Sequence, residues 1–105
     1  MVGRILVALA IVLITTRHSL SEAASEMRGR TFARVHCAQC HSIDRATRSP
    51  LKVAPPFRTL HQRYPIETLA EALAEGISTG HPSMPEFRLE PDQINDLLSY
   101  LKSLE

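Results

Sequence analysis

The chain has no tryptophan, and its 105 residues include only two tyrosines, three phenylalanines, four glycines and two cysteines. So few large apolar rings leave a core short of bulk, and a domain this small buries a modest share of its surface. Chains of this kind commonly complete their cores with a metal, a cofactor or disulfides. No segment alternates apolar and polar residues over strand length, which excludes a sheet-based fold. No stretch interleaves basic and aromatic residues, which argues against nucleic acid as a partner. Nor do the carboxylates assemble into an acid/base pair. Glu67, Glu71 and Glu75 recur at i+4, a like-charge spacing that repels slightly and suits a solvated helix face.

What is present is concentrated. Both cysteines fall in one pentapeptide, Cys37-Ala38-Gln39-Cys40-His41. Two thiols two residues apart, with a histidine directly after the second, form the attachment pattern of c-type haem. The spacing sets both sulfurs along one edge of a porphyrin, about one helical turn apart, where each thiol can add to a vinyl group. His41 then lies beneath the iron and can offer it a ring nitrogen. Two other chemistries use Cys-x-x-Cys. A redox dithiol of the thioredoxin kind wants a strand before and a helix after, in a βαβ pattern, and neither flank has that form. A zinc site could draw on two of His36, His61 and His81, but it would expect a second tightly spaced pair, and these histidines are scattered.

The beginning of the chain is a different kind of sequence. Arg4 precedes an unbroken apolar run of ten residues, Ile5 to Ile14, and Ser21-Glu22-Ala23 places small residues at the two positions a signal peptidase reads. Residues 1–23 are therefore read as a secretory signal cleaved after Ala23, and 24–105 as one domain of about 82 residues, located in the periplasm. The alternative is a membrane anchor facing the periplasm. A span needs about 20 apolar residues, and Arg17 with His18 closes this run early, so stable membrane insertion is not expected. Export also fits the cysteines, since none remains for a structural disulfide.

Three main helices are expected. Ser25 reads as the N-cap of the first, which runs to about Cys37 with Glu26 in its positive first turn. Gly29, Phe32, Ala33 and His36 share one face. A glycine inside a helix costs about 1 kcal/mol relative to alanine, so Gly29 is expected to let another helix approach closely. Periodicity is absent from Ser42 to Tyr64 apart from a short helix within Phe57 to Arg63. The rigid part there is Ala54-Pro55-Pro56-Phe57, whose carbonyls are free to accept. One of them, with Pro55 the candidate, is expected to accept the distal N–H of His41, fixing its tautomer. The second helix opens with Pro65 at N1 and closes at Gly76, burying Ile66, Leu69, Ala70, Leu73 and Ala74. The third begins with Pro91, Asp92 and Gln93 and buries Ile94, Leu97, Leu98 and Leu101, with Tyr100 at the edge.

An iron bound by His41 has a sixth position to fill, and the segment between the second and third helices, Ile77 to Pro85, holds two candidates. Met84 stands between Ser83 and Pro85 in a loop that its prolines keep from being helical, so its thioether can be held toward the haem. His81 is the alternative ligand, or else a hydrogen-bond partner of the loop or of a propionate.

Taken together these stretches resemble a class I c-type cytochrome of the small bacterial monohaem type, across nearly all of residues 24–105. Gly29 and Phe32 resemble the family's helix-crossing residues, Cys37 to His41 its haem attachment, Ala54 to Phe57 its proximal proline loop, Gly80 to Pro85 its methionine loop, and Leu97 to Leu101 its last helix. The resemblance implies an all-α fold, three main helices and loops wrapped around one covalently attached haem c. The iron would lie between His41 and Met84, with Cys37, Cys40 and Pro55 completing the site. The tryptophan that many members place at a haem propionate is absent here, so that contact passes to Arg58, His61 or Arg63.

The function implied is one-electron transfer and not enzymatic turnover. Iron between an imidazole and a thioether has no open position for substrate, and Met/His ligation raises the potential. The partners would be redox proteins, an electron-donor complex and a terminal oxidase or reductase, with the carrier itself a monomer. A haem subunit or tethered domain of one periplasmic oxidoreductase is the second reading, and a thiol-disulfide or haem-sensor protein the third. Charge adds a further expectation. From Ala24 to Arg63 there are eight basic and two acidic residues, and from Tyr64 to Glu105 two basic and eight acidic. If the basic half borders the haem, the partner should present an acidic face, and complementary charge would act mainly on the rate of encounter.

Overall fold

The computed structural model describes residues 2–76 and 83–105, Val2 and Ile5 by their backbone alone. His81 and its neighbours in 77–82 lie outside the described residues. Helix α1 spans Val2–His36. A 3-10 helix follows at Phe57–Gln62, then a 3-10 turn at Ile66–Thr68 that leads into α2, Leu69–Glu75. Helix α3 is Pro91–Ser103. Among the described residues there is no strand, and the all-α class holds.

Ser25 is not an N-cap, because α1 passes through it without a break. Nothing from Thr15 to Ser25 is glycine or proline, and the polar side chains there fold back on the helix. Thr15 and Thr16 donate to the Val12 carbonyl at 2.9 and 2.8 Å, and Ser19 to the Thr15 carbonyl at 3.1 Å. Such bonds satisfy the hydroxyls without stopping the helix. Every described side chain from Gly3 to Ala24 is exposed, and burial in α1 begins at Ser25. The helix is long and apolar enough to cross a membrane, a test that a secretion signal passes equally.

From Ser25 onward α1 packs on α3. Gly29 is the point of closest approach: a Cβ there would lie 1.9 Å from the Asp96 carbonyl oxygen and 2.8 Å from the Tyr100 Cβ. Around it Arg28 grips the Asp96 carboxylate with two parallel bonds of 3.0 and 3.1 Å, and Ser25 Oγ donates to the same carboxylate at 2.8 Å. The fork geometry adds direction to the crossing, and the pair lowers the pKa of Asp96 through the Arg28 hydrogen bond. Arg28 itself is largely exposed, so a surface pair of this kind contributes little to stability. The glycine contact is what brings the helices together.

Helix α2 begins later than Pro65. That proline is extended at φ −60°, ψ 133°, and its carbonyl accepts from Thr68 N–H at 3.1 Å and Thr68 Oγ1 at 2.7 Å, closing a tighter turn first. Ile66 and Leu73 are buried and Leu69 and Ala70 half-buried, as expected, but Ala74 is exposed. The three glutamates face water. Gly76 ends the helix at φ +107°, and a Cβ there would meet the Glu86 carboxylate at 2.3 Å. Helix α3 starts as its residues direct, with Pro91 first and the Gln93 side chain accepting from Glu90 N–H at 2.9 Å. Its stripe of Ile94, Leu97 and Leu101, joined by Tyr100, meets Ala33, Phe57, Leu60, Ile66, Leu73 and Leu89 in one core.

Gly29→Ala should therefore destabilise the fold by about 2 kcal/mol or more, the overpacking cost exceeding any gain in helix propensity. Denaturant unfolding of the haem-loaded protein measures it.

Candidate cofactor-binding cleft

The cysteine pentapeptide continues the end of α1 as a turn. Cys37 N–H donates to the Ala33 carbonyl at 2.8 Å, and His41 N–H to the Cys37 carbonyl at 2.9 Å. This one-turn geometry is what brings two thiols and an imidazole to a single wall. Both cysteines are half-buried free thiols. Burial pushes the Cys37 thiol up to about 11.

That wall borders a cleft of about 620 Å³. His36, Cys37, Cys40 and His41 line it from the pentapeptide and the turn before it; Ala54, Pro55, Phe57 and Leu60 from the proline loop and the first 3-10 helix; Leu69 and Leu73 from α2; Leu97 and Leu101 from α3; and Met84, Pro85 and Phe87 from the segment before α3. Cys37, Cys40, His41, Pro55 and Met84 are thus gathered at one place, although 43 positions separate His41 from Met84 in the sequence. Met27, by contrast, is exposed on α1.

His41 is held on two sides. Its Nδ1 lies 2.7 Å from the Pro55 carbonyl, and its ring packs 5.0 Å from that of Phe57. A carbonyl only accepts, so Nδ1 carries the proton and Nε2 is left as the lone-pair nitrogen. That is the tautomer a metal ligand needs, and the hydrogen bond makes the imidazole a stronger donor. The bond expected from the proline loop is therefore present.

The residues fit a flat, apolar macrocycle carrying a metal. Apolar side chains dominate the lining, an imidazole and a thioether are among it as possible metal donors, and Arg63 is the one formally charged group among the described lining residues. Arg63 with Tyr64 and Thr68 gives the cleft one polar stretch. Of the three residues suggested for a propionate, only Arg63 lines the cleft. Arg58 is turned away: its Nη1 donates to the Thr47 carbonyl at 2.7 Å and reaches Ser42 Oγ at 3.3 Å. His61 is half-buried outside the lining. Tyr64 and Phe87 were not singled out in the sequence, and Leu69 and Gln39 were named there only as a buried helix position and a spacer of the pentapeptide. The Leu69 stripe position carried a signal, whereas Tyr64 stood in a stretch with no period.

Two ion pairs stand among the described residues, Arg28 with Asp96 and Lys102 with Glu67. The first joins the basic half of the chain to the acidic half, so the two halves interleave where α1 crosses α3.

The family described as Cytochrome c matches residues 26–105. A cytochrome c-553-like protein of Synechocystis sp. is 31% identical over 77 residues, covering 73% of this chain and 67% of the relative. Cytochrome c-552 of Bradyrhizobium diazoefficiens is 27% identical over 94 residues, covering 90% and 88%. No solved structure matches the chain significantly.

The loop after His41 has its own acid sensitivity. Bonds from Thr47 N–H, Ala46 N–H and the Thr47 hydroxyl hold the Asp44 carboxyl down to about 2. A depressed folded pKa contributes stability that is complete above the unfolded value and is lost as pH falls through the folded one. The melting temperature of the wild type minus that of Asp44→Asn should accordingly be constant above pH about 4 and shrink toward pH about 2, as followed by thermal melts of both proteins.

Proposed function

The chain belongs to the cytochrome c family and is a haem c protein, and on that premise we propose that it is a periplasmic one-electron carrier. Its single haem is attached through Cys37 and Cys40 and held at iron by His41 and Met84. The observation that carries this reading is the convergence of these four side chains, with the Pro55 carbonyl behind His41, on one apolar cleft. Bound haem supplies a one-electron couple, and Met/His ligation leaves no position for a substrate.

The chain's own residues do the rest. Cys37 and Cys40 would hold the haem by thioether bonds, each S–H adding across one vinyl group with no oxidant required. Pro55 fixes the imidazole tautomer. Leu69, Leu73, Leu97 and Leu101 exclude water. Arg63 and Tyr64 give the propionates a polar edge, in place of Arg58 and His61. Lys52, exposed between the lining residues Leu51 and Val53, adds to Arg63 at the rim, which supports an acidic partner face.

A thiol-disulfide protein is less well supported, because a reactive thiol needs a lowered pKa and burial raises that of Cys37. Zinc is likewise less well supported, since no group of three or more His, Cys, Asp and Glu comes together among the described residues. Residues 1–23 act as the export signal, removed to leave 24–105. Support comes from the exposure of every described side chain from Gly3 to Ala24.

Intact mass and absorption spectra of the protein recovered from a periplasm able to attach haem test the whole reading. The expected mass is that of residues 24–105 plus one haem, with no alkylatable thiol, and the reduced spectrum is that of a low-spin haem c. An apo mass with two free thiols would sink it.

The ligand assignment has a separate test. Met84→Ala should abolish the weak near-infrared sulfur-to-ferric-iron band and lower the reduction potential, because the soft thioether favours ferrous iron. His81→Ala should leave the band in place. A wild type that lacks the band, with a potential that Met84→Ala leaves unchanged and His81→Ala shifts, would make His81 the ligand.

A further inference from the structure

We propose that Arg58 is a positioning residue for His41, acting through a directed chain of hydrogen bonds that ends on Asp44; this rests on the reading of His41 as an iron ligand. Donors and acceptors along the chain follow from counting hydrogens. Thr47 Oγ1 has one hydrogen, directed at the Asp44 Oδ2 at 2.7 Å, and a carboxylate only accepts. In its 3.0 Å contact with Ser42 Oγ, Thr47 must therefore accept, and Ser42 donates. The lone pairs of Ser42 Oγ are then open to Arg58 Nη1 at 3.3 Å. The same Nη1 makes its shortest bond, 2.7 Å, to the Thr47 carbonyl, while the Asp44 carbonyl at 3.5 Å is at the limit of reach. A cation and an anion thus terminate a chain of two hydroxyls, in which each bond polarises the next.

The chain bears on His41 through Ser42, the residue after it, which is buried. Ser42 N–H donates to Ser49 Oγ at 3.0 Å, and its carbonyl accepts from Phe57 N–H at 2.9 Å. Phe57 packs on the imidazole, and two positions earlier the Pro55 carbonyl accepts the imidazole's proton. Arg58, next to Phe57, therefore ties the strip that holds the imidazole to the loop that starts at the imidazole's own neighbour. On its other side this loop is fastened to α3, with Tyr100 donating to the Ile43 carbonyl and Arg45 to the Ser103 carbonyl. Arg58 is the side-chain fastening between this loop and the strip that holds the imidazole.

Exchange of the His41 Nδ1 proton with deuterium, followed by NMR in the reduced holoprotein, tests the proposal. The Leu97 and Leu101 amides of α3 serve as reporters of whole-fold opening. In Arg58→Ala the Nδ1 proton should exchange about tenfold faster or more, the loss of one charged hydrogen bond, while the α3 amides stay within about twofold of wild type. Arg58→Lys, which keeps a cation but loses the planar group that aims Nη1, should give an intermediate rate. Should Arg58→Ala yield no folded holoprotein, Ser42→Ala cuts the chain at a neutral hydroxyl and must still speed Nδ1 exchange ahead of the α3 amides. Unchanged Nδ1 exchange, or acceleration only in step with the α3 amides, overturns the positioning role. A wild-type holoprotein without an imidazole-ligated iron would instead fail the reading on which the proposal rests.

Discussion

The approach of α1 to α3 at Gly29 is the constraint on which the rest of the molecule depends. With no side chain at Gly29, backbone meets backbone at Asp96, and the last turn of α1 is carried to a fixed place beside Leu97 and Leu101. The pentapeptide begins where that turn ends. A crossing set a residue earlier or later would rotate the two thiols away from the leucines, since each residue turns a helix by about 100°. Arg28 and Ser25, both on the Asp96 carboxylate, give the crossing its direction.

The second constraint is a shortage of apolar bulk. Ile66 is the one large side chain fully withdrawn from water among those described, and the leucines of α2 and α3 turn toward a cleft as well as toward one another. A haem c resolves that shortage. It is large, flat and apolar across its faces, and its covalent attachment makes it part of the chain. This is why a long irregular connection between α1 and α2 can be tolerated: its apolar residues have the macrocycle to cover, while its polar ones bond among themselves at Ser42, Asp44 and Thr47.

The loop from Ser42 to Ser49 separates two jobs that sequence proximity had blurred. Arg58, His61 and Arg63 are all basic side chains a few positions apart, and any of them could be imagined at a propionate. In the fold, the 3-10 helix at Phe57–Gln62 points Arg58 back over the loop behind His41, while Arg63 follows the end of that helix and lines the cleft. One cation is used to fasten the loop that follows His41 and another is left facing the cleft.

The amino-acid sequence determined by itself whatever depends on near neighbours. The spacing of two cysteines and a histidine, the proline loop with a free carbonyl, the proline start and leucine stripe of α3, and the absence of strand periodicity are all local, and each was recovered in the structure. Tertiary structure decided what local rules cannot reach. It ran α1 through Ser25 without a stop, because the Ser25 hydroxyl is drawn to the Asp96 carboxylate of α3 and not to the amides of its own helix. It delayed α2 by one tight turn at Pro65, exposed Ala74, and sent Arg58 to the loop and not to the cleft. The direction in which a long, flexible cation points depends on acceptors distant in sequence, here the Thr47 carbonyl and Ser42 hydroxyl, and those acquire their positions only when the chain has folded around them.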